Sequence, residues 1–432
     1  MSAKRVEQLL IEHASWLLAA YVLVPPLFKA SLQPFVPIDL TVLLALPTTA
    51  AGLAWLAKSH SRLSGHQRRA LGLWAGLALL VALGTLWAPD RPVALRSAAY
   101  WGVFAAVPLI AAFPSAETWP RVRQLLMAFI VAGSIVVLVG LWTLPTVGRE
   151  TLDVLSANRL GVARAALFVP LIGIPLLAWR APKMQWLAVA TLAPLGFFIA
   201  LATGSRGAPI AFVFTAATVL FATIAVSPRR RMAMAIAGTT LASTLVLFVA
   251  FSWLIPGSAI ARFGLLIDAV DVASPMPLEP DNGASPGPME SPVQPEAPRG
   301  GESVAQRIDL YALAWRTFLD RPIVGSGTGG FEARAADTDG LDLYSYPHNL
   351  PLHVAADFGV LGLLVVGGLS GLAVLSWRPT TGAAVGLAVL LVFLSLNAML
   401  SNSLYDNRPL WAVLLVLLAL PAGARTSPMI AR

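Results

Sequence analysis

No cysteine occurs among the 432 residues, which excludes disulfides, thiolate nucleophiles and thiolate metal sites and leaves packing alone to hold any part outside the cytoplasm. Charge is nearly as scarce. Asp, Glu, Lys and Arg make up 12% of the chain against 57% AVILMFWYC, where a soluble domain carries roughly 25% and 45–50%. A soluble protein so composed could not cover its surface. Acid is the scarcer sign, with 22 Asp and Glu against 30 Lys and Arg, a net charge of +8. These bases are scattered between apolar stretches and not clustered with aromatics, so nucleic acid is set aside as a partner.

What the chain has instead is apolar runs of about 18–23 residues, long enough to cross roughly 30 Å of hydrocarbon. They predict an all-α polytopic membrane protein with about twelve transmembrane helices, near residues 14–29, 38–57, 70–88, 93–113, 123–144, 160–179, 184–203, 208–226, 232–255, 352–377, 381–400 and 409–424. Runs this long are not the ten-residue alternations of barrel strands, and in lipid a helix satisfies its own backbone. The first run follows Lys4 and Arg5 and ends in Pro25-Pro26 without a small-residue cleavage site, so it reads as an uncleaved signal anchor. With the N-terminus inside, the inner short segments hold 16 Lys and Arg and the outer ones 8. This bias predicts that both termini are cytoplasmic.

The stretch 256–351 is a unit of another kind, carrying 13 of the 22 acids and 6 of the 30 bases. It divides the chain into a membrane bundle over 1–255, an outer loop over 256–351, and the last three spans with a short tail over 352–432. Within the loop, 274–301 has eight prolines and four glycines and reads as flexible. Over 302–321, Val304, Ile308, Tyr311, Trp315 and Phe318 recur at helical spacing, predicting an amphipathic helix lying on the bundle or interface by that face.

Seven of the eight outer bases are arginine, whose planar fork grips phosphate bidentately, though snorkelling to headgroups explains any single one. Arg206 stands in Thr203-Gly204-Ser205-Arg206-Gly207-Ala208-Pro209. That hairpin aims the free N–H groups of the following helix at the same place as the guanidinium, a seat for phosphate or simply a tight turn. Arg159 and Arg164 bracket the start of the sixth span and Arg408 opens the twelfth; each could bind an anion or be met by Asp39, Asp357 or carbonyl groups. His348 precedes Asn349, a candidate N-cap, with Pro351 in the first turn beyond. A helix N-terminus lowers a histidine's pKa and frees it to act as a general base; capping is its ordinary alternative. His353, five residues on, cannot make a metal pair with it on one helix, and His353 and Asp357 suit a structural pair. No metal cage and no cofactor is expected. Gly325-Ser326-Gly327-Thr328-Gly329-Gly330 lacks the preceding strand of a dinucleotide site and reads as a turn closing the loop back toward His348.

The Ser205-Arg206-Gly207 turn, then Arg307-x8-Arg316, Pro322-Ile323-Val324-Gly325-x-Gly327, Phe331, His348-Asn349 and Gly359-x-x-Gly362 together resemble the O-antigen ligase and polymerase superfamily, most closely the ligases. The resemblance implies a C-type glycosyltransferase-like fold. The reaction it implies is transfer of a glycan from undecaprenyl diphosphate to lipid A core on the periplasmic face, without metal or nucleotide sugar and with inversion. It implies that His348 is the essential loop histidine and that Arg206 binds the diphosphate. Arg159, Arg164 and Arg408 are further diphosphate candidates, with Ser205, Gly207, Asn349, Arg307 and Arg316 in support. Partners would be the lipid-linked donor, the core acceptor and membrane lipids. The alternatives are an O-antigen polymerase, a protein O-oligosaccharyltransferase and, from another class, a lipid or solute transporter, against which stand the lack of a repeat and the small number of ionisable residues at mid-membrane depth.

Overall fold

The computed structural model describes residues 2–59, 63–144, 152, 154, 158–178, 183–226, 299–338, 345–377, 381–401, 403–405 and 407–420. They form helices and turns, with no strand among the described residues. In chain order the helices are α1 (Ala3–Glu12), α2 (Ala14–Leu32), α3 (Leu40–Ser59), α4 (Gly65–Gly84), α5 (Arg91–Trp101), α6 (Ala112–Ser115), α7 (Trp119–Thr143) and α8 (Arg159–Ala178). There follow α9 (Lys183–Ala202), α10 (Gly207–Val226), α11 (Arg299–Asp320), α12 (Gly330–Ala336), α13 (Leu350–Ser376), α14 (Gly382–Ser401) and α15 (Arg408–Ala419).

Among the described residues, seven stretches are long and apolar enough to cross a membrane: Ala14–Phe35, Leu40–Ser59, Arg91–Ser115, Trp119–Thr143, Arg159–Leu176, Leu350–Ser376 and Gly382–Leu400. Thr191–Ala202, Gly207–Ala217 and Arg408–Ala419 are shorter apolar helices. The protein is a polytopic, helical membrane protein. Of the twelve expected spans, the ninth lies outside the described residues, as does the Pro-rich stretch up to residue 298. Gly300 and Gly301, expected to be flexible, are instead the first turn of α11, because the amphipathic helix runs three residues further upstream. Helix α4, at the expected third span, starts earlier than residue 70, at Gly65, where the N-cap Ser64 hydroxyl accepts from the Gln67 N–H in a capping box, and it is not one of these seven stretches. The fourth is a broken column in which α5 passes through a π turn at Gly102–Ala106 and a 3-10 turn at Pro108–Ala111 into α6, Pro108 having no N–H to continue the ladder.

Helix α8 sits at the centre, packed by α7, α9, α10 and α14. Small residues let the backbones close up. A Cβ on Gly133 would lie 2.4 Å from the Ala165 carbonyl and one on Gly196 2.3 Å from that of Ala166, which is how helices gain contact where lipid competes for every apolar side chain. Helix α15 is short but buried from Leu410 to Ala419 against α2, α4, α6, α13 and α14. Leu46 on α3 and Leu364, Val374 and Leu375 on α13 face outward.

One break positions the site. At Gly359, with φ 60 and ψ −152, α13 loses helical geometry, and unpaired backbone groups inside an apolar layer cost several kcal/mol each. The segment 322–327 after α11 takes four of them. The N–H groups of Ser326 and Gly327 donate to the carbonyls of Ala356 and Asp357 at 2.9 and 2.8 Å, and those of Val360 and Leu361 donate to Pro322 and Ile323 at 2.8 and 3.2 Å. The turn therefore docks about three turns into α13 and on the end of α4, where the Thr328 N–H donates to the Gly84 carbonyl at 3.3 Å. It does not close directly on His348, as its sequence suggested.

The amphipathic helix is present, but its predicted face is not the packed one. Leu310, Ala314 and Thr317 are buried against α13, whereas Ile308 and Trp315 are 59% and 51% exposed. Ala314 and Thr317 are small enough for close approach, so the larger side chains are left outside.

Candidate functional site

Where α11, α12, the start of α13 and the segment before α15 meet, His348 has the only positive φ of any non-glycine described residue, 51°. A left-handed backbone at histidine costs of order 1–3 kcal/mol and persists only where its surroundings over-determine it. Asn349 provides part of that, its Oδ1 accepting from the Leu352 N–H at 3.0 Å as the N-cap of α13. Tyr346 lies against the imidazole at 4.2 Å between ring centroids. The His348 Nδ1 is buried with no hydrogen-bond partner among the described residues.

Burial first, and then the positive Arg307 on α11, pushes His348 down to about 4. The helix N-terminus, on which the sequence reading relied, is not among the causes. At neutral pH the ring is uncharged and holds a lone pair ready for a proton. Arg307 also donates to the Leu400 carbonyl at 3.5 Å, which ties α11 to the end of α14.

A second group lies beneath. Asp357 accepts from the Phe331 N–H at 2.9 Å, the Gly329 N–H at 3.2 Å and the Tyr405 hydroxyl at 2.6 Å. The His353 Nε2 stands 3.2 Å from Glu332 Oε1 and 3.5 Å from Asp357 Oδ2, so the pairing expected of His353 and Asp357 is there, with a third member. Their ligand-type atoms lie within 4.8 Å of one another, a convergence the spacing argument against a metal cage overlooked. The chemistry of the donor set does not suit a cation. The Leu404 N–H donates to His353 Nδ1 at 3.2 Å, so Nδ1 carries the lone pair and Nε2 the proton; a metal on Nε2 requires the reverse tautomer.

The arginines divide into groups. Arg164 and Arg408 line one pocket with Pro26, Leu27, Phe168 and Leu394; the Arg164 Nε donates to the Leu160 carbonyl at 3.2 Å and Arg408 lies over the Tyr21 ring at 5.4 Å. Asp39 pairs with Lys29 and Asp357 serves the node above, so the two carboxylates the sequence offered to these arginines are engaged elsewhere. Arg159 is exposed at the first residue of α8, as is Arg316 on α11. Arg206 is half-buried at the N-cap of α10, its carbonyl accepting from the Ile210 N–H at 3.3 Å. Gly204 there has φ 68, and Thr203 Oγ1 accepts from the Ser205 N–H at 3.2 Å. Buried Gly207 opens α10.

Residues 190–367 match the family model described as O-Antigen ligase. The match, over about two fifths of the chain, supports the O-antigen ligase superfamily. No curated protein matches it. The O-antigen ligase match takes in Arg206, Arg307, Arg316, His348 and Asn349 together with Glu332, His353 and Asp357; Arg159, Arg164, Arg408 and Tyr405 fall outside it. Together with the apolar helices, the match supports a multi-pass bacterial membrane protein. Sequence reasoning missed Glu332 and Tyr405. Nothing periodic marks either; Glu332 stood out only as an acid directly after Phe331 and the glycine run, and Tyr405 as a lone tyrosine just before Arg408.

Proposed function

We propose that the protein transfers O-antigen polysaccharide from undecaprenyl diphosphate to lipid A core at the periplasmic face. His348 takes the proton of the acceptor hydroxyl as its oxygen bonds to the anomeric carbon. The bond from that carbon to the diphosphate breaks with inversion, and undecaprenyl diphosphate leaves with its negative charge held by arginine. The observation that carries this reading is the uncharged, half-buried His348 in a strained backbone, inside the matched segment. Arg206, with the N-terminus of α10, is the first candidate for the diphosphate, and the Arg164–Arg408 pocket, with its apolar wall, is the second. The same reading has twelve spans, cytoplasmic termini and residues 256–351 outside.

A null strain tests it. Loss of a ligase leaves long glycans on undecaprenyl diphosphate and bare lipid A core; single repeat units capping the core would instead mean a polymerase.

Two further outcomes are expected of the purified enzyme. Arg206→Ala should lower turnover of the diphosphate donor by about 1.5–3 kcal/mol of a charge-assisted hydrogen bond, roughly tenfold to a hundredfold. Arg206→Lys should restore only part, because a point charge cannot reproduce the bidentate fork. Full rescue by lysine in a steady-state assay would reduce the site to an electrostatic patch. Activity should also persist in excess EDTA, since the His353 tautomer faces its proton toward Glu332 and arginine supplies the positive charge. Loss on chelation that Mg²⁺ or Mn²⁺ restores would place a cation on the diphosphate.

A further inference from the structure

Glu332 touches neither His348 nor any arginine in the site above, yet it is the hinge pin between two of its helices. With its Nδ1 taken by the Leu404 N–H, His353 can only donate from Nε2, and two carboxylates face that proton. Asp357 already accepts from Phe331, Gly329 and Tyr405, and Glu332 Oε1, at 3.2 Å, is the nearer of the two. His353 in turn anchors the first turn of α13, its N–H donating to the Asn349 carbonyl at 2.9 Å, and Asn349 directly follows His348. The apolar cluster of Leu310, Ala314, Phe331, Ala335 and Ala356 joins α11, α12 and α13 around this pair and so keeps Arg307 where His348 feels it.

We propose that Glu332 is a positioning residue whose carboxylate, packed 3.2 Å from the Nε2 of fully buried His353, clamps α12 to the first turn of α13 and holds half-buried His348 in its left-handed place. The proposal rests on His348 being the base. Without the clamp the first turn is free to rotate, the strain at His348 relaxes and its ring swings toward water and away from Arg307. The groups facing His348 are Arg307 and Tyr346; those facing Glu332 are His353, Asp357 and Tyr405. Burial pushes the Glu332 carboxyl up, so glutamine, which keeps the shape and the acceptor oxygen, is its conservative replacement.

The test compares pH profiles of kcat and KM for wild type, Glu332→Gln, Glu332→Ala and Tyr405→Phe, together with the rate at which diethyl pyrocarbonate modifies His348 at neutral pH, read by mass spectrometry. Wild type should show an acid limb near about 4. Glu332→Gln should keep that limb and its rate. Glu332→Ala should lose about tenfold or more in kcat with the donor KM unchanged, its acid limb should climb toward the ordinary 6.5, and His348 should be modified several-fold faster. A uniform fall at all pH values, with the limb and the modification rate unmoved, would overturn the proposal and leave Glu332 as packing. Should Glu332→Ala fail to fold, Tyr405→Phe, which slackens the node by one hydroxyl, carries the same two readouts with a smaller shift, and unmoved values overturn it equally. A fully active His348→Asn protein would instead sink the base reading, while the modification rate still judges the clamp.

Discussion

Purified His348→Asn protein should transfer glycan at least about 100-fold more slowly than wild type, the usual worth of a positioned general base, while binding donor and melting in detergent much as before. Asparagine is the informative replacement because it tolerates a left-handed backbone, so the φ of 51° at this position is kept and only the proton acceptor is lost. His348→Ala should lose the same activity. Wild-type activity should fall below an acid limb near about 4, since the ring must be uncharged to take the hydroxyl proton. The sign of the linked stability effect is opposite to that of a paired histidine. With the folded value below the ordinary 6.5, the unfolded chain binds more protons between the two, so this group leaves stability untouched above pH 6.5 and withdraws it as pH falls toward 4. His348→Asn should therefore melt less acid-sensitively across that window. Near-normal transfer by either variant in a gel-ladder assay would end the proposed mechanism.

Gly325→Ala should be the most damaging substitution that removes no functional group. Gly325 has φ +66, and an added Cβ would stand 2.3–2.4 Å from the backbone of Asp357 and Phe358. None of those atoms belongs to a flexible side chain, so the turn must lift off α13. The cost combines a left-handed alanine with overpacking, about 2–5 kcal/mol. Lifting the turn also strips the carbonyls of Ala356 and Asp357 of their donors and pulls Gly329 and Phe331 from the Asp357 carboxylate. Melting temperature and transfer should therefore fall together. Gly367→Ala on the same helix has nothing within 4 Å of its new methyl and should be neutral or stabilising by up to about 1 kcal/mol. Equal behaviour of the two variants in a detergent melt would show that the turn does not dock on the helix break.

The long apolar runs, the Ser-Arg-Gly turn before α10, the cap at Asn349 and the glycine-rich turn after Asp320 were all legible without coordinates, because each depends on neighbours within one or two helical turns. Length against hydrocarbon thickness, side-chain capping and backbone freedom at glycine are local physics. The break at Gly359 was not legible. In an apolar run a glycine costs little, and only the turn at 322–327, more than thirty residues earlier, supplies the backbone groups that make the break tolerable.

The same distinction separates the two halves of the site. By itself the sequence determined a helical membrane protein, a resemblance to one superfamily, and the residue types at His348 and Arg206, since composition, period and motif are properties of the chain. Which face of α11 packs, why His348 is uncharged, and that Glu332, His353, Asp357 and Tyr405 form one node were decided only by tertiary structure. Burial and the field of Arg307 act through space, and the four members of the node span more than seventy residues of chain, so no window of sequence holds the energies that bring them together.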